Sequence, residues 1–316
     1  MTDVEPNENR RAPTADDVEF HDGYSPATRR GYASDWASFR RWCEAEGRGP
    51  LPADPETVAA YVEAKSASLK PATVSRHVAA VAVAHRDLDL PDPTKGRSAR
   101  IAAKKMFRKR GRRQRQAVGI TFELRNRMID AAGNGLAGLR DKAMLAVAYD
   151  LGCRRSELVG VLAEELVRAE DGSATILLRK TKTDQDGAGH VRFVASETVR
   201  LVDAWLDGAG VEDGPLFRSV DRHGNVGTAQ LHPCDVSRLW KKMAMAARLP
   251  PELVRGISGH STRVGFAQDM AAAGIDLVAI MQAGGWKSPN MVARYVERLD
   301  ARQGASARLA AAQGRF

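Results

Sequence analysis

The stretch SGHSTRVGFAQDMAAAGIDLVAIMQAGGWKSPNMVARYVERLD, Ser258 to Asp300, sets a histidine, an arginine, a tryptophan and a tyrosine within a run of helical periodicity. If its first part, GHSTRVG, begins a helix, His260 and Arg263 stand three positions apart on one face, so an imidazole and a guanidinium address the same point. Such a pair suits an anion. Composition narrows which one.

The chain has 316 residues, 43% of them hydrophobic, enough to bury a sizeable core and to predict two domains. Its formal net charge is +9, and the excess is concentrated in KKMFRKRGRRQR. This run carries Lys104, Lys105, Arg108, Lys109, Arg110, Arg112, Arg113 and Arg115 without an acid. Localised charge of this kind marks a surface that meets a phosphate backbone or an anionic membrane; the plainer reading is a solvated linker or localisation tract. Cys43, Cys153 and Cys234 are far apart, with no C-x-x-C spacing, so neither a disulfide framework nor a zinc site is indicated and a reducing cytoplasm fits. No long apolar run is present, and the start MTDVEPNENRRAPTADDVEF lacks the hydrophobic centre of a signal peptide. With no membrane partner indicated, the basic run points to nucleic acid.

Residues 1–24 are polar, rich in acids and proline, and read as a disordered arm. Order is expected from Ser25-Pro26, a cap followed by proline at the first helical position, with Tyr32, Trp36, Phe39 and Cys43 at helical spacing. Further helices open at Asp54-Pro55-Glu56 and at Pro71, where Val74, Val78, Val81 and His85 face one side. Thr73, Ser75 and Arg76, near the start of that helix, have side chains suited to phosphates and base edges. Residues 25–107 are thus predicted as a helical domain, 108–118 as a basic linker, and 119–316 as a second domain. In the latter, Thr121-Phe122-Glu123 restarts helix, and ATILLRKT and HVRFVA read as one hairpin around DQDGAG. Helical periodicity resumes at SETVRLVDAWLDG, giving a mainly α fold with a small antiparallel β-sheet.

Other chemistry-bearing residues surround the opening stretch. GCRRSELVGV places Arg154 and Glu157 three apart at a helix start, TKT carries Lys182, and Trp286 and Tyr295 follow His260 and Arg263. Singly, each has an ordinary structural reading: a surface arginine, a lysine guarding a sheet edge, a tyrosine half in the core. Together and in this order they resemble the tyrosine recombinase, or phage integrase, family. Its pattern is an arginine in G-x-R-x-S-E-L, a hairpin lysine, H-x-x-R, a His or Trp after two glycines or Leu-Gly, and a tyrosine. The likeness is densest over Ser258–Asp300, including GGW and the RLD after the tyrosine.

The resemblance implies a helical, SAM-like core-binding domain and a catalytic domain clamping a duplex, with Tyr295 as nucleophile, Lys182 as general acid, and Arg154, Arg263, His260 and Trp286 around the scissile phosphate. Matching TKT and the following Ala-Gly favours Lys182 over Lys180. It further implies double-stranded DNA with an inverted-repeat site as partner, a homodimer on one site, a homotetramer in the synapse, no cofactor, and a bacterial or phage-encoded, nucleoid-associated protein. A last helix, from about Ala301 to Ala312, would dock in a neighbouring subunit and close a ring. An arm of 24 residues is too short for the additional arm-binding domain of many integrases.

Elementary chemistry agrees. A phosphodiester under attack gathers charge on its non-bridging oxygens, to which two guanidiniums can each present a planar fork. His260 adds a donor or accepts the nucleophile's proton, Trp286 can only donate, and Glu157 orients Arg154 and His260. A phosphotyrosine ester retains the bond energy for rejoining, so no ATP is needed. GGWKS resembles the end of a P-loop, but Trp286 stands where that loop needs glycine. Metal-assisted cleavage needs clustered carboxylates, and Glu164, Glu165, Glu170 and Asp171 have no paired histidine, so no metal is expected. Two rival functions share the charge and fold: a type IB topoisomerase-like enzyme, which relaxes DNA without exchanging partners, and a catalytically silent sequence-specific DNA-binding protein.

Overall fold

Ser25 accepts the Thr28 amide with its hydroxyl and Pro26 takes the first helical position, so α1 (Pro26–Ala45) begins where its cap predicts. The computed structural model describes residues 13–113, 116–179, 189–303 and 305–315. The chain divides into two compact units, Met1–Arg115 and Gln116–Phe316.

In the first unit, α1 is followed by α2 (Pro55–Ser68), α3 (Pro71–Arg86) and α4 (Arg97–Arg110). Trp36, Phe39, Tyr61, Val74, Val81 and Met106 pack at their centre. Two polar residues are built into this core. His85 accepts the Ala53 amide at Nε2 (2.9 Å) and meets the Val81 carbonyl with Nδ1 (2.8 Å), a pairing that fits a neutral ring, and burial lowers its pKa. Asp35, also buried, takes Arg76 in a fork at 2.6 and 2.8 Å and lies 3.3 Å from His77.

Two boundaries differ from the sequence reading. The expected disordered arm is structured from Thr14 onward: Asp17 Oδ2 accepts the Thr14 amide at 2.7 Å, Asp16 pairs with Arg40, and Val18 and Phe20 pack on the core. Phe20, unremarkable in a polar segment, finds Tyr32, with ring centres 5.5 Å apart. The expected linker begins as helix, because α4 turns Ala99, Ala102 and Met106 inward and ends only at Gly111, at φ 73°.

The second unit opens with α5 (Phe122–Asp130), α6 (Leu136–Asp150) and the short α7 (Arg155–Val159). Strands β1 (Leu166–Arg168), β2 (Ala174–Leu178) and β3 (His190–Val194) form an antiparallel sheet in that order, with Ile176 opposite Arg192. Helix α8 (Ser196–Ala209) returns across α6, and Trp205 donates to the Leu216 carbonyl in the core. A second two-stranded sheet, β4 (Arg218–Val220) with β5 (Val226–Gln230), was not expected. Its turn is organised by Asp221, whose carboxylate accepts the amides of His223 and Asn225 at 2.7 and 2.9 Å.

The remainder is helical: α9 (Pro233–Ala246), α10 (Pro251–Gly256), α11 (Ser261–Ala272), α12 (Leu277–Gly284), α13 (Pro289–Gln303) and α14 (Ala305–Ala312). The last helix therefore starts later than the sequence predicts, since residues 301–303 still belong to α13. Asp269 on α11 accepts from the Phe122 amide (2.6 Å) and the Tyr149 hydroxyl (2.5 Å), fixing α11 against α5 and α6. Among the described residues no helix is long and apolar enough to cross a membrane.

Candidate active site

The nucleophile candidate is packed in a small core of its own. Val264, Ala267, Ile280, Trp286, Val292 and Tyr295 form a cluster apart from the main one, made by α11, α12 and α13. Tyr295 is buried, its backbone carbonyl accepts from Gln268 Nε2 at 3.1 Å, and its hydroxyl lies 2.7 Å from His260 Nε2. The two rings meet edge-on with centroids 5.6 Å apart.

His260 immediately precedes α11, and Arg263 follows in its first turn. Arg263 is 2% exposed; its Nη1 donates to the Gly152 carbonyl at 2.5 Å and its guanidinium lies 4.2 Å from the centre of the Trp286 ring. The Arg263 Nη2 and Trp286 Nε1 donors are buried without a hydrogen-bond partner among the described residues. Buried donors are ordinarily satisfied, so a pair of unpartnered ones around one tyrosine identifies where an acceptor would be received.

Arg154 enters from the other side, just before α7. Glu157 holds it twice, accepting the Arg154 amide (2.8 Å) with Oε2 and its Nη1 (2.6 Å) with Oε1. The expectation that Glu157 orients Arg154 thus has a direct geometry. Toward His260 the carboxylate makes no hydrogen bond among the described residues and acts through its charge, opposing the lowering of the imidazole pKa. Lys182, together with Lys180, lies outside the described residues.

The electrostatics set the protonation states. Burial, then the guanidiniums of Arg263 and Arg154, push His260 down from 6.5 to about 4. A neutral imidazole can accept a proton through Nε2 when its own proton sits on Nδ1. Burial and the neighbouring Arg154 also lower Arg263 to about 10. A buried guanidinium near a partly exposed one, with a single carboxylate beside them, favours arrival of an anion. Nearby Cys153 is not a competing nucleophile, since burial pushes its thiol up to about 12.

One consequence is testable without DNA. The unfolded ring takes up a proton near 6.5 and the folded His260 only near 4, so the unfolded state binds more protons in that window and stability falls as pH drops through it. His260→Gln should shrink the loss of urea stability between neutral pH and about pH 4.5. His77 and His85, also lowered chiefly by burial, continue to contribute with the same sign. An undiminished loss would place His260 in solvent.

The candidate DNA contacts of the first unit separate into two groups. Lys104, Lys105, Arg108 and Lys109 are exposed along α4, and Arg112 is exposed beside it with its guanidinium 4.3 Å from the Phe107 ring centre. Thr73 and Ser75 are partly buried on α3. Arg76 and Arg110 have structural partners: the Asp35 fork holds the first, and the Ser66 and Ala67 carbonyls at the end of α2 hold the second. Both side chains remain exposed beside these partners, which lie far off in sequence, so spacing gave no warning of the pairings. Arg115 lies outside the described residues. Sequence reasoning also missed Gln268, behind Tyr295, and Arg192, which shares a small pocket with Arg154, Glu157 and Arg263.

A buried tyrosine hydroxyl against a neutral histidine, near two arginines of which Arg263 has an unsatisfied donor, can serve nucleophilic attack on an anionic diester. The family model for the phage integrase family matches residues 120–302, and the chain belongs to that family, the tyrosine recombinases, whose members cleave and rejoin DNA. It is 34% identical over 281 residues to an integrase/recombinase XerD homolog of Selenomonas ruminantium, covering 86% of this chain and 81% of that one. It is 29% identical to the recombinase Cre of Escherichia phage P1 over 306 residues, 90% of this chain and 88% of Cre. In fold it is similar to the XerH site-specific recombinase bound to palindromic difH substrate, with a TM-score of 0.66 at 14% identity over 90% of this chain and 81% of that one. A lambda integrase (75-356) dimer on a COC' core site gives 0.61 at 18% identity, over 87% and 89%.

Proposed function

We propose that this protein is a site-specific recombinase that cuts duplex DNA with Tyr295, holds the broken strand as a 3′-phosphotyrosine ester, and exchanges strands between two inverted-repeat sites through a Holliday junction. The observation that carries this reading is the 2.7 Å contact between the Tyr295 hydroxyl and His260 Nε2, beside two guanidiniums. The phenol proton passes to His260 as Oη attacks phosphorus. Arg154 and Arg263 take the non-bridging oxygens, and Trp286 Nε1 supplies a further donor. The departing 5′ oxygen takes its proton from Lys182. The ester conserves bond energy, so a 5′-hydroxyl from the partner strand reseals the break without ATP or metal.

Strand exchange needs active sites on two duplexes, so the working unit is a homodimer on each site and a homotetramer in the synapse. Leu309, 55% exposed on the alanine-rich α14, is suited to docking in a neighbouring subunit. The deciding experiment is incubation with two distinguishable duplexes bearing the cognate inverted repeat. Covalent adducts plus exchanged products are expected. Relaxation of supercoils without exchange would make the protein topoisomerase-like, and binding without an adduct would make it catalytically silent.

Backbone contact is assigned to the exposed face of α4. Neutralising Lys104, Lys105, Arg108 and Lys109 together is expected to flatten the salt dependence of DNA affinity by roughly 0.9 in log–log slope for each phosphate that the protein no longer neutralises. An unchanged slope removes this face from the interface.

A further inference from the structure

Strand β3 is oriented against its own hydrophobicity. Val191 and Phe193 are 65% and 63% exposed, while Arg192 between them turns to the inner face, opposite Ile176 and on the side of buried Val194. An arginine half-buried on the inner face while valine and phenylalanine face outward must be compensated by what it holds. Its Nη1 donates to the carbonyls of Gln282, at 2.7 Å, and Ala283. These belong to the last turn of α12, where carbonyls lack helical partners and a cation is favoured. The chain there turns through Gly285 in the left-handed region, at φ 64°, and a Cβ on Gly285 would stand 2.7 Å from Arg192 Nη2. The next residue is Trp286, whose amide donates back to the Met281 carbonyl at 2.9 Å and whose ring backs Arg263.

We infer that Arg192 is a positioning residue for DNA cleavage: it clamps the Gln282–Gly285 turn to β3 and thereby fixes Trp286 and, through it, the Arg263 guanidinium. This rests on the proposed recombinase reading. The clamp ties β3, which follows the TKT segment in the chain, to the turn that sets the indole.

Two measurements test it in the full chain. Hydrogen exchange at Gly285 and Trp286 should quicken roughly tenfold in Arg192→Ala, as for loss of a charged hydrogen bond, with α11 unchanged. Adduct formation on a nicked cognate duplex, at saturating DNA, should slow by roughly 100-fold with DNA affinity unaltered, the effect of a small misplacement. Adding Trp286→Ala should slow it no further, because the two act through one element. Arg192→Lys, which keeps one charged donor, should be intermediate in exchange and in rate, and it carries the test if the alanine variant fails to fold. Unchanged exchange at Gly285 and Trp286, or fully additive slowing with Trp286→Ala, would overturn the clamp; the second result would make Arg192 a direct phosphate contact. Absence of an adduct in the wild type would sink the recombinase reading instead, and exchange alone would then decide the clamp.

Discussion

Tyr295→Phe is expected to bind its DNA site with wild-type affinity and to form no covalent adduct at all. The substitution keeps the ring that packs with Val264, Ala267, Ile280, Trp286 and Val292, so the small core and α13 remain in place. It removes one hydroxyl, whose hydrogen bond to His260 contributes about 1 kcal/mol, a small part of the stability of a domain this size. Chemically the loss is complete, since among the described residues no other nucleophile lies in the cluster, and burial keeps the Cys153 thiol protonated. Denaturing electrophoresis of a labelled nicked duplex reads the outcome directly. A band of protein-linked DNA from the Phe variant would remove Tyr295 from the role of nucleophile.

How much of this site was legible beforehand follows from the distances along the chain. His260 and Arg263 belong to one helical turn, so their convergence is a property of local geometry. Likewise Arg154 and Glu157, three apart, meet because the carboxylate reaches back to the amide ahead of the helix. Tyr295 sits 35 positions from His260, and nothing in spacing alone brings it within 2.7 Å; only the resemblance joined them. The mainly α fold was readable for the same local reason, through caps at Ser25 and Asp54 and prolines at helix starts.

What escaped was long-range or inverted. Arg76 and Arg110 looked free because Asp35 and the end of α2 lie more than forty residues away. The β4–β5 hairpin was missed although its turn holds Gly224, at φ 88°, and Asn225, because β4 has only three residues and β5, VGTAQ, no run of β-branched or aromatic residues. Arg192 was unreadable for a sharper reason. The alternation in HVRFV assigns valine and phenylalanine to the core, and the sheet does the opposite. A departure from binary pattern of that kind concentrates at functional sites, where an inward-facing charge serves something other than stability.

The second large effect concerns the leaving group. In the proposed mechanism Arg154 and Arg263 take the non-bridging oxygens and the proton for the departing 5′ alkoxide comes from Lys182, the role that the resemblance implies. Lys182→Ala should therefore slow cleavage of ordinary DNA by roughly 100- to 10,000-fold, the range for loss of a general acid. A duplex with sulfur at the bridging 5′ position changes the requirement, because a thiolate is stable enough to leave without a proton. On that substrate Lys182→Ala should approach the wild-type rate. Arg154→Ala should remain slow on both, since charge on the non-bridging oxygens develops whichever atom departs. Lys180→Ala should be mild on both. Equal defects of Lys182→Ala on oxygen and sulfur substrates would reduce this lysine to a phosphate contact, whereas sulfur rescue of Lys180→Ala would move the acid two positions upstream.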